Sequence, residues 1–171
     1  MNNEQVSYTV LVAGSERFTD RGFVIGMLDQ LYLALIENYN MPIGKVISGN
    51  FTGASLFAKE WAEENKIKYE SKDFFPKDSL NSFYDNEKLP ESVLLNHPAF
   101  KKAKDELINS GTNILMAFPN PENELGITTT NLIQLAEISG QIKPFLCNEA
   151  LKQVLAQKES CKKTKAPSPA L

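Results

Sequence analysis

Three polar turns in this chain carry the residue types that hold anions. Gly14-Ser15-Glu16-Arg17-Phe18-Thr19-Asp20 follows the apolar run Tyr8-Thr9-Val10-Leu11-Val12-Ala13. Ser48-Gly49-Asn50-Phe51-Thr52-Gly53-Ala54-Ser55 follows Lys45-Val46-Ile47, and Leu125-Gly126-Ile127-Thr128-Thr129-Thr130-Asn131 lies beyond Asn113-Ile114-Leu115-Met116-Ala117-Phe118. Each turn precedes a helical pattern. A helix start leaves backbone N–H groups unpaired and carries a partial positive charge. Phosphate sits well there, most of all where glycine lets a ligand approach the backbone. Gly49, Asn50, Phe51, Thr52, Gly53 and Ala54 offer one such cradle, with hydroxyls from Thr52 and Ser55. Gly126, Ile127, Thr128 and Thr129 offer a second. Gly14 and Ser15 line a third turn, where Arg17 brings a guanidinium, a natural phosphate partner. Phe18, Phe51 and Phe118 are rings on which a base would stack. Asp20 and Glu16 are the carboxylates placed to activate water as a general base.

Each of these turns also has a purely structural reading. Strand-to-helix turns need glycine and capping residues for geometry alone, and Asp20 is well suited to cap the helix that follows it. Three such turns meeting at one edge shift the balance toward a ligand. Other chemistries find no support. The Gly49 turn lacks a Lys-Ser/Thr ending, so it is not a P-loop. No G-x-G-x-x-G follows the first strand, and no G-x-S-x-G elbow occurs. His97 is the only histidine and precedes Pro98, which suits a structural or surface role better than a catalytic triad. Glu122 and Glu124 read as solvated loop carboxylates, and Lys101, Lys102 and Lys104 as a solvated helix face. No cluster has metal-ligand spacing, so neither a metal nor a cofactor is expected.

The elements that must position these turns follow from periodicity. Val6 to Ala13 reads as a central strand, apolar on both faces. Phe23 to Asn38 carries Val24, Met27, Leu28, Leu31 and Leu35 at helical spacing. Lys45 to Ser48 is a second strand, and Ala54 to Asn65 a helix with Phe57, Ala58, Trp61 and Ala62 inward. Ile67 to Tyr69 is a short strand nearer the sheet edge. Ser71 to Pro90 is irregular, and its Phe74, Phe75, Phe83 and Tyr84 are expected to pack on the protein or wall a ligand. Glu91 to Asn109 is helical with a break at His97-Pro98. Asn113 to Phe118, Thr128 to Ser139, Ile142 to Leu146 and Asn148 to Gln157 then read as strand, helix, strand and helix. This alternation predicts an α/β, Rossmann-like domain over 1–158, with a mostly parallel sheet and helices on both faces. Residues 159–171 mix Lys, Ser and Pro and are expected to be a disordered tail.

The chain has 171 residues and a net charge of −3, with 42% hydrophobic and 23% charged residues. Such a balance exerts no general pull toward nucleic acid or an anionic membrane. There is no apolar run of membrane-spanning length, and the start lacks the features of a secretory signal. Two cysteines, Cys147 and Cys161, make neither a disulfide framework nor a zinc site. A reducing, cytoplasmic compartment is expected, with Cys147 as a small buried apolar group.

From Tyr8 to Phe145 the chain resembles the SLOG superfamily, and within it the YspA-like branch of bacterial and phage proteins. That branch opens with a strand and a Gly-Ser-Arg turn followed by an aromatic, Thr and Asp. Here Glu16 stands where the family Arg usually stands, and Arg17 follows one place later. The family's second turn is similar to Ser-Gly-Gly-Ala-Arg-Gly-Ala-Asp, so its Arg and Asp have become Thr52 and Ser55. Ala58-Lys59-Glu60-Trp61-Ala62, Phe75-Pro76, Ala117-Phe118-Pro119 and Gly126 with Leu132 to Ala136 fit the pattern, whereas its Ala-Gly-Pro-x-Arg-Asn segment is missing. Distant relatives are the LOG phosphoribohydrolases and the DNA-processing protein DprA. The resemblance implies a site for nucleotides or nucleotide-derived ligands, such as ADP-ribose relatives, and self-association into a homo-oligomer. It also implies that the catalytic Glu of LOG enzymes is absent, since Thr130 stands in its place. The leading expectation is a sensor, carrier or sequestering protein for such a ligand. The alternatives are a hydrolase that cuts an N-glycosidic or phosphate bond, with Asp20 or Glu16 replacing the missing Glu, and an interaction protein with a vestigial pocket.

Overall fold

The computed structural model describes residues 6–14, 18–49, 53–75, 92, 96–119 and 127–147. Strand β1 (Tyr8–Gly14) leads to helix α1 (Arg21–Tyr39), β2 (Ile43–Ser48), α2 (Ala54–Glu64) and β3 (Lys68–Ser71). Helix α3 (Pro98–Asn109), β4 (Ile114–Phe118), α4 (Ile127–Ser139) and β5 (Lys143–Leu146) follow. The five strands form one sheet in the order β3-β2-β1-β4-β5, and every pairing is parallel. The chain is therefore an α/β, Rossmann-like fold, as the alternating pattern predicts. The predicted helix at 148–157, the tail at 159–171, and Phe83 and Tyr84 lie outside the described residues.

Side-chain alternation along β1 divides the core in two. Val10 and Val12 face a cluster with Val24, Leu28, Trp61, Met116 and Phe118. Leu11 and Ala13 face a second cluster with Phe100, Leu107, Leu115, Leu135 and Ala136. The first cluster lies beneath α1 and α2, the second beneath α3 and α4. Phe74 and Phe75 are buried in the second cluster, and Phe75 meets Phe100 edge-on at 5.7 Å. These two aromatics of the long irregular segment thus pack on the protein itself.

Local chemistry sets the element ends. Helix α1 begins two residues before the expected start at Phe23, because Asp20 Oδ1 accepts the Phe23 N–H at 3.0 Å and caps the helix. It ends at Asn40 in left-handed geometry, with φ 52°. Strand β2 starts at Ile43 rather than Lys45, since Ile43 is buried and aligns with Tyr8. Helix α3 begins after the expected break, with His97 Nδ1 accepting the Ala99 N–H at 3.2 Å and Pro98 in the first turn. His97 is thus a helix cap. At the amino edge of the sheet, Asn113 joins β1 to β4. Its Oδ1 accepts the Thr9 N–H at 2.8 Å and its own N–H donates to Thr9 O at 2.9 Å.

Candidate functional site: the carboxyl rim of the sheet

Residues at the ends of three adjacent strands define the rim. Gly14, the last residue of β1, pairs with Phe118, the last of β4. On its other side β1 aligns Val12 with Ser48, the last residue of β2. The chain leaves β1 for one face of the sheet and β4 for the other. That divergence is the switch point at which open parallel sheets place ligands.

The rim is tightly built at its centre. A Cβ at Gly14 would lie 2.6 Å from the Phe118 carbonyl oxygen, 3.0 Å from Phe118 Cβ and 3.2 Å from Ala54 Cβ. Gly14 is therefore a packing glycine, which lets β4 and the start of α2 close on the end of β1. Ala54 is fully buried in the same contact. Phe118 is fully buried too, with its ring 5.4 Å from Phe18 and 5.8 Å from Phe23. This corrects the expectation that Phe118 stacks on a base, because its ring is committed to the core. Phe18 is half-buried against the same cluster and keeps one side at the surface.

Helix α2 starts differently from α1. Its cap is Gly53, at φ 64° and ψ −139°, which has no side chain to bond the first-turn amides. An L-residue is strained in that backbone region, so glycine is required by conformation. No acidic residue lies in the first turn of α2 or of α4, so neither first turn supplies its own counter-charge to the helix dipole. Beneath α2, the fully buried Ser48 Oγ donates to Ser55 O at 3.2 Å and pairs with the Tyr69 hydroxyl. This hydroxyl relay fixes the end of β2 and the neighbouring β3 to the first turn of α2. Ser55, expected as a hydroxyl donor, is buried. Gly49 has its nearest potential neighbour, Lys72 O, 3.9 Å from where a Cβ would stand.

In α4, Thr128 is exposed, Thr129 is buried and Thr130 is half-buried. Asn131 is 1% exposed, and its Nδ2 has no hydrogen-bond partner. A buried amide donor left unpaired calls for a water or a ligand oxygen. The spacing of the threonines draws attention to this helix start but gives no sign that Asn131 faces inward. Ser48 and Tyr69 were equally hidden in the sequence, apart from the position of Ser48 at the end of a strand.

The catalytic candidates fare unevenly. Asp20 is exposed, and one of its oxygens is committed to capping α1. Glu16 lies outside the described residues, as do Ser15, Arg17, Asn50, Phe51, Thr52 and Gly126. Ile127 opens α4. A guanidinium that is described, Arg21, turns away to α2, bonding Glu60 at 2.8 Å and Glu64 at 3.0 Å. Among the described residues no group of three or more His, Cys, Asp or Glu could hold a metal ion, and no helix is long and apolar enough to cross a membrane. A cavity of about 200 Å³ lies between α1 and β4–β5, lined by Met27, Gln30, Leu31, Met116, Phe145 and Cys147. None of the residues expected to bind a ligand lines it. Comparison with protein-family models, curated proteins and solved structures finds no match to this chain.

Proposed function

We propose that the chain binds a nucleotide or nucleotide-derived molecule, of the ADP-ribose or cyclic-nucleotide class, at the carboxyl rim of its sheet. It would act there as a sensor, carrier or sequestering protein. The observation that carries this reading is the start of α2: a strained glycine cap that has no side chain to bond the first-turn amides, and no acidic residue in that turn, beside the β1–β4 switch point. A phosphate resting on Gly53 and the first turn of α2 meets aligned N–H donors. The unpaired Asn131 Nδ2 near the start of α4 supplies a further donor for a ligand oxygen. Phe18 replaces Phe118 as the ring available to a base, and Arg17 neutralises phosphate charge. The engagement of Asp20 as a cap favours binding over hydrolysis. The same resemblance that suggests the ligand suggests a homo-oligomer, and the two-cysteine composition suggests a reducing, cytoplasmic compartment.

The test is to incubate the purified protein with nucleoside phosphates, NAD and ADP-ribose while following melting temperature and products by chromatography. A melting shift without products is expected, since a ligand that prefers the folded state raises stability. Arg17→Ala should weaken that shift. Release of free base or ribose phosphate would instead make the protein a hydrolase. No shift with any nucleotide would remove the proposal.

A further inference from the structure

Strand β3 delivers a cation to the carboxyl rim. Of the described lysines and arginines, Lys72 is the one that directly follows a strand end. Its N–H donates to the Ser48 carbonyl at 3.0 Å, which fixes its backbone beside the end of β2. Its Nζ lies over the Phe74 ring, 5.5 Å from the centroid, and Phe74 is buried in the second core cluster. An ammonium held against an aromatic face is steadied without losing its charge. The carboxylates nearest to Lys72 in the chain are engaged elsewhere. Glu70 pairs with Lys45, and Asp73 Oδ1 accepts the Phe75 N–H at 3.1 Å. Among the described residues the ion pairs are those of Arg21 with Glu60 and Glu64 and of Lys45 with Glu70, and none takes in Lys72.

Ser48 joins this cation to the start of α2. Its carbonyl holds the Lys72 N–H, and its Oγ holds the first turn of α2 through Ser55 O at 3.2 Å. The contact with Phe74 puts Lys72 on the face of the second cluster, whereas α2 covers the first. Gly49 follows Ser48 between them. A Cβ there would find Lys72 O as its nearest neighbour, at 3.9 Å, so the crossing from one face to the other at this residue is bare backbone. A phosphate at the start of α2 lies on the first face and Lys72 on the second, an arrangement that serves two linked anionic groups better than one. We propose that Lys72 binds a second anionic group of the ligand, so that the rim takes a diphosphate-linked nucleotide in preference to a cyclic nucleotide with a single charge. This rests on the nucleotide site proposed above: the first phosphate meets the first-turn amides of α2, and the second crosses Gly49 to the Lys72 ammonium.

Binding of ADP-ribose and of cyclic AMP to the full chain, measured by calorimetry at low and high salt, tests this. ADP-ribose should bind at least about tenfold more tightly, the worth of one hydrogen bond to a charged group. Lys72→Met keeps the stem over Phe74 and removes the charge. It should abolish that preference and flatten the salt dependence of ADP-ribose binding while leaving the affinity for cyclic AMP unchanged. Lys72→Gln should behave in the same way, and Lys72→Arg should retain the preference. Equal affinities for the two ligands in the unaltered protein, or an ADP-ribose affinity that Lys72→Met leaves unchanged, would overturn this inference while the nucleotide site stands. An equal loss for both ligands would overturn it too, because Lys72 would then hold the phosphate they share. Absence of binding by either ligand would remove the nucleotide site itself, and this inference with it.

Discussion

Two glycines at the rim are fixed by different physics, and substitution should separate them. Gly14 has ordinary backbone geometry but no room, with the Phe118 carbonyl 2.6 Å from a built Cβ. Gly14→Ala must push β4 or α2 outward, a cost of about 1–3 kcal/mol for overpacking. Gly53 is held at φ 64° and ψ −139°, so Gly53→Ala should cost about 1–3 kcal/mol through backbone strain. Equilibrium urea unfolding would show both as lowered midpoints with unchanged slopes. The pair should differ in repair. Trimming Ala54 to Gly removes only the 3.2 Å contact and not the Phe118 carbonyl clash, so it should recover a small part of the Gly14→Ala loss and none of the Gly53→Ala loss. Burial pushes the Cys147 thiol up to about 12, which agrees with its sequence reading as a small apolar group.

At the scale of elements, α1 and α2 are joined by polar contacts as well as by their apolar stripes. The Trp61 indole N–H donates to Asp29 Oδ1 at 2.8 Å, and Tyr32 meets the same ring edge-on at 6.1 Å. Asp29→Ala leaves that N–H unpaired, so a loss of about 1–3 kcal/mol is expected, read as a lower melting temperature; Asp29→Asn should recover most of it. Strands β2 and β3 are joined at the surface by the ion pair of Lys45 with Glu70. The hydrogen bond from Lys45 holds the Glu70 carboxyl below its ordinary value. A carboxylate with a lowered folded pKa adds stability above its unfolded pKa, and that stability is lost as pH falls through the folded value. The melting difference between the unaltered protein and Glu70→Gln should therefore be visible at about pH 7 and shrink as pH falls below the ordinary carboxylate range, and salt should shrink it too. The elements themselves were largely legible because their periodicities are strong: Val10 and Val12 against Leu11 and Ala13, or Val24, Leu28 and Leu35 along α1. Their boundaries were less so. Ile43 joined β2 because burial outweighed the Pro42-Gly44 turn signal, and α1 gained a half turn from the Asp20 cap. The site was legible only as loops. Side-chain direction decides the rest, and residue type does not report it. Phe118 and Asn131 both point inward, one as core and one as an unpaired donor.

For the whole molecule, the decisive feature is that the rim exists only when the sheet does. Gly14, Ser48 and Phe118 end three strands that are separated in sequence and adjacent in space. A ligand held across those ends is coupled to global unfolding and not to the opening of one loop. Its stabilisation should then be the same wherever else the fold is weakened. Leu107 is fully buried on the α3 face, away from the rim, and Leu107→Ala should cost about 2–5 kcal/mol. A nucleotide that shifts the unaltered protein at a hundred times its dissociation constant adds about 2.7 kcal/mol. The same increment should appear in Leu107→Ala, because distant sites add to within about 0.5 kcal/mol. Gly53→Ala should show the opposite pattern. It weakens the fold less than Leu107→Ala but misaligns the first-turn amides of α2, so its ligand increment should largely disappear. Urea titrations with and without nucleotide on the three proteins measure both substitution costs and all three ligand increments. If Gly53→Ala kept the full increment while Leu107→Ala lost it, the ligand would be bound through the α3 face and not at the start of α2.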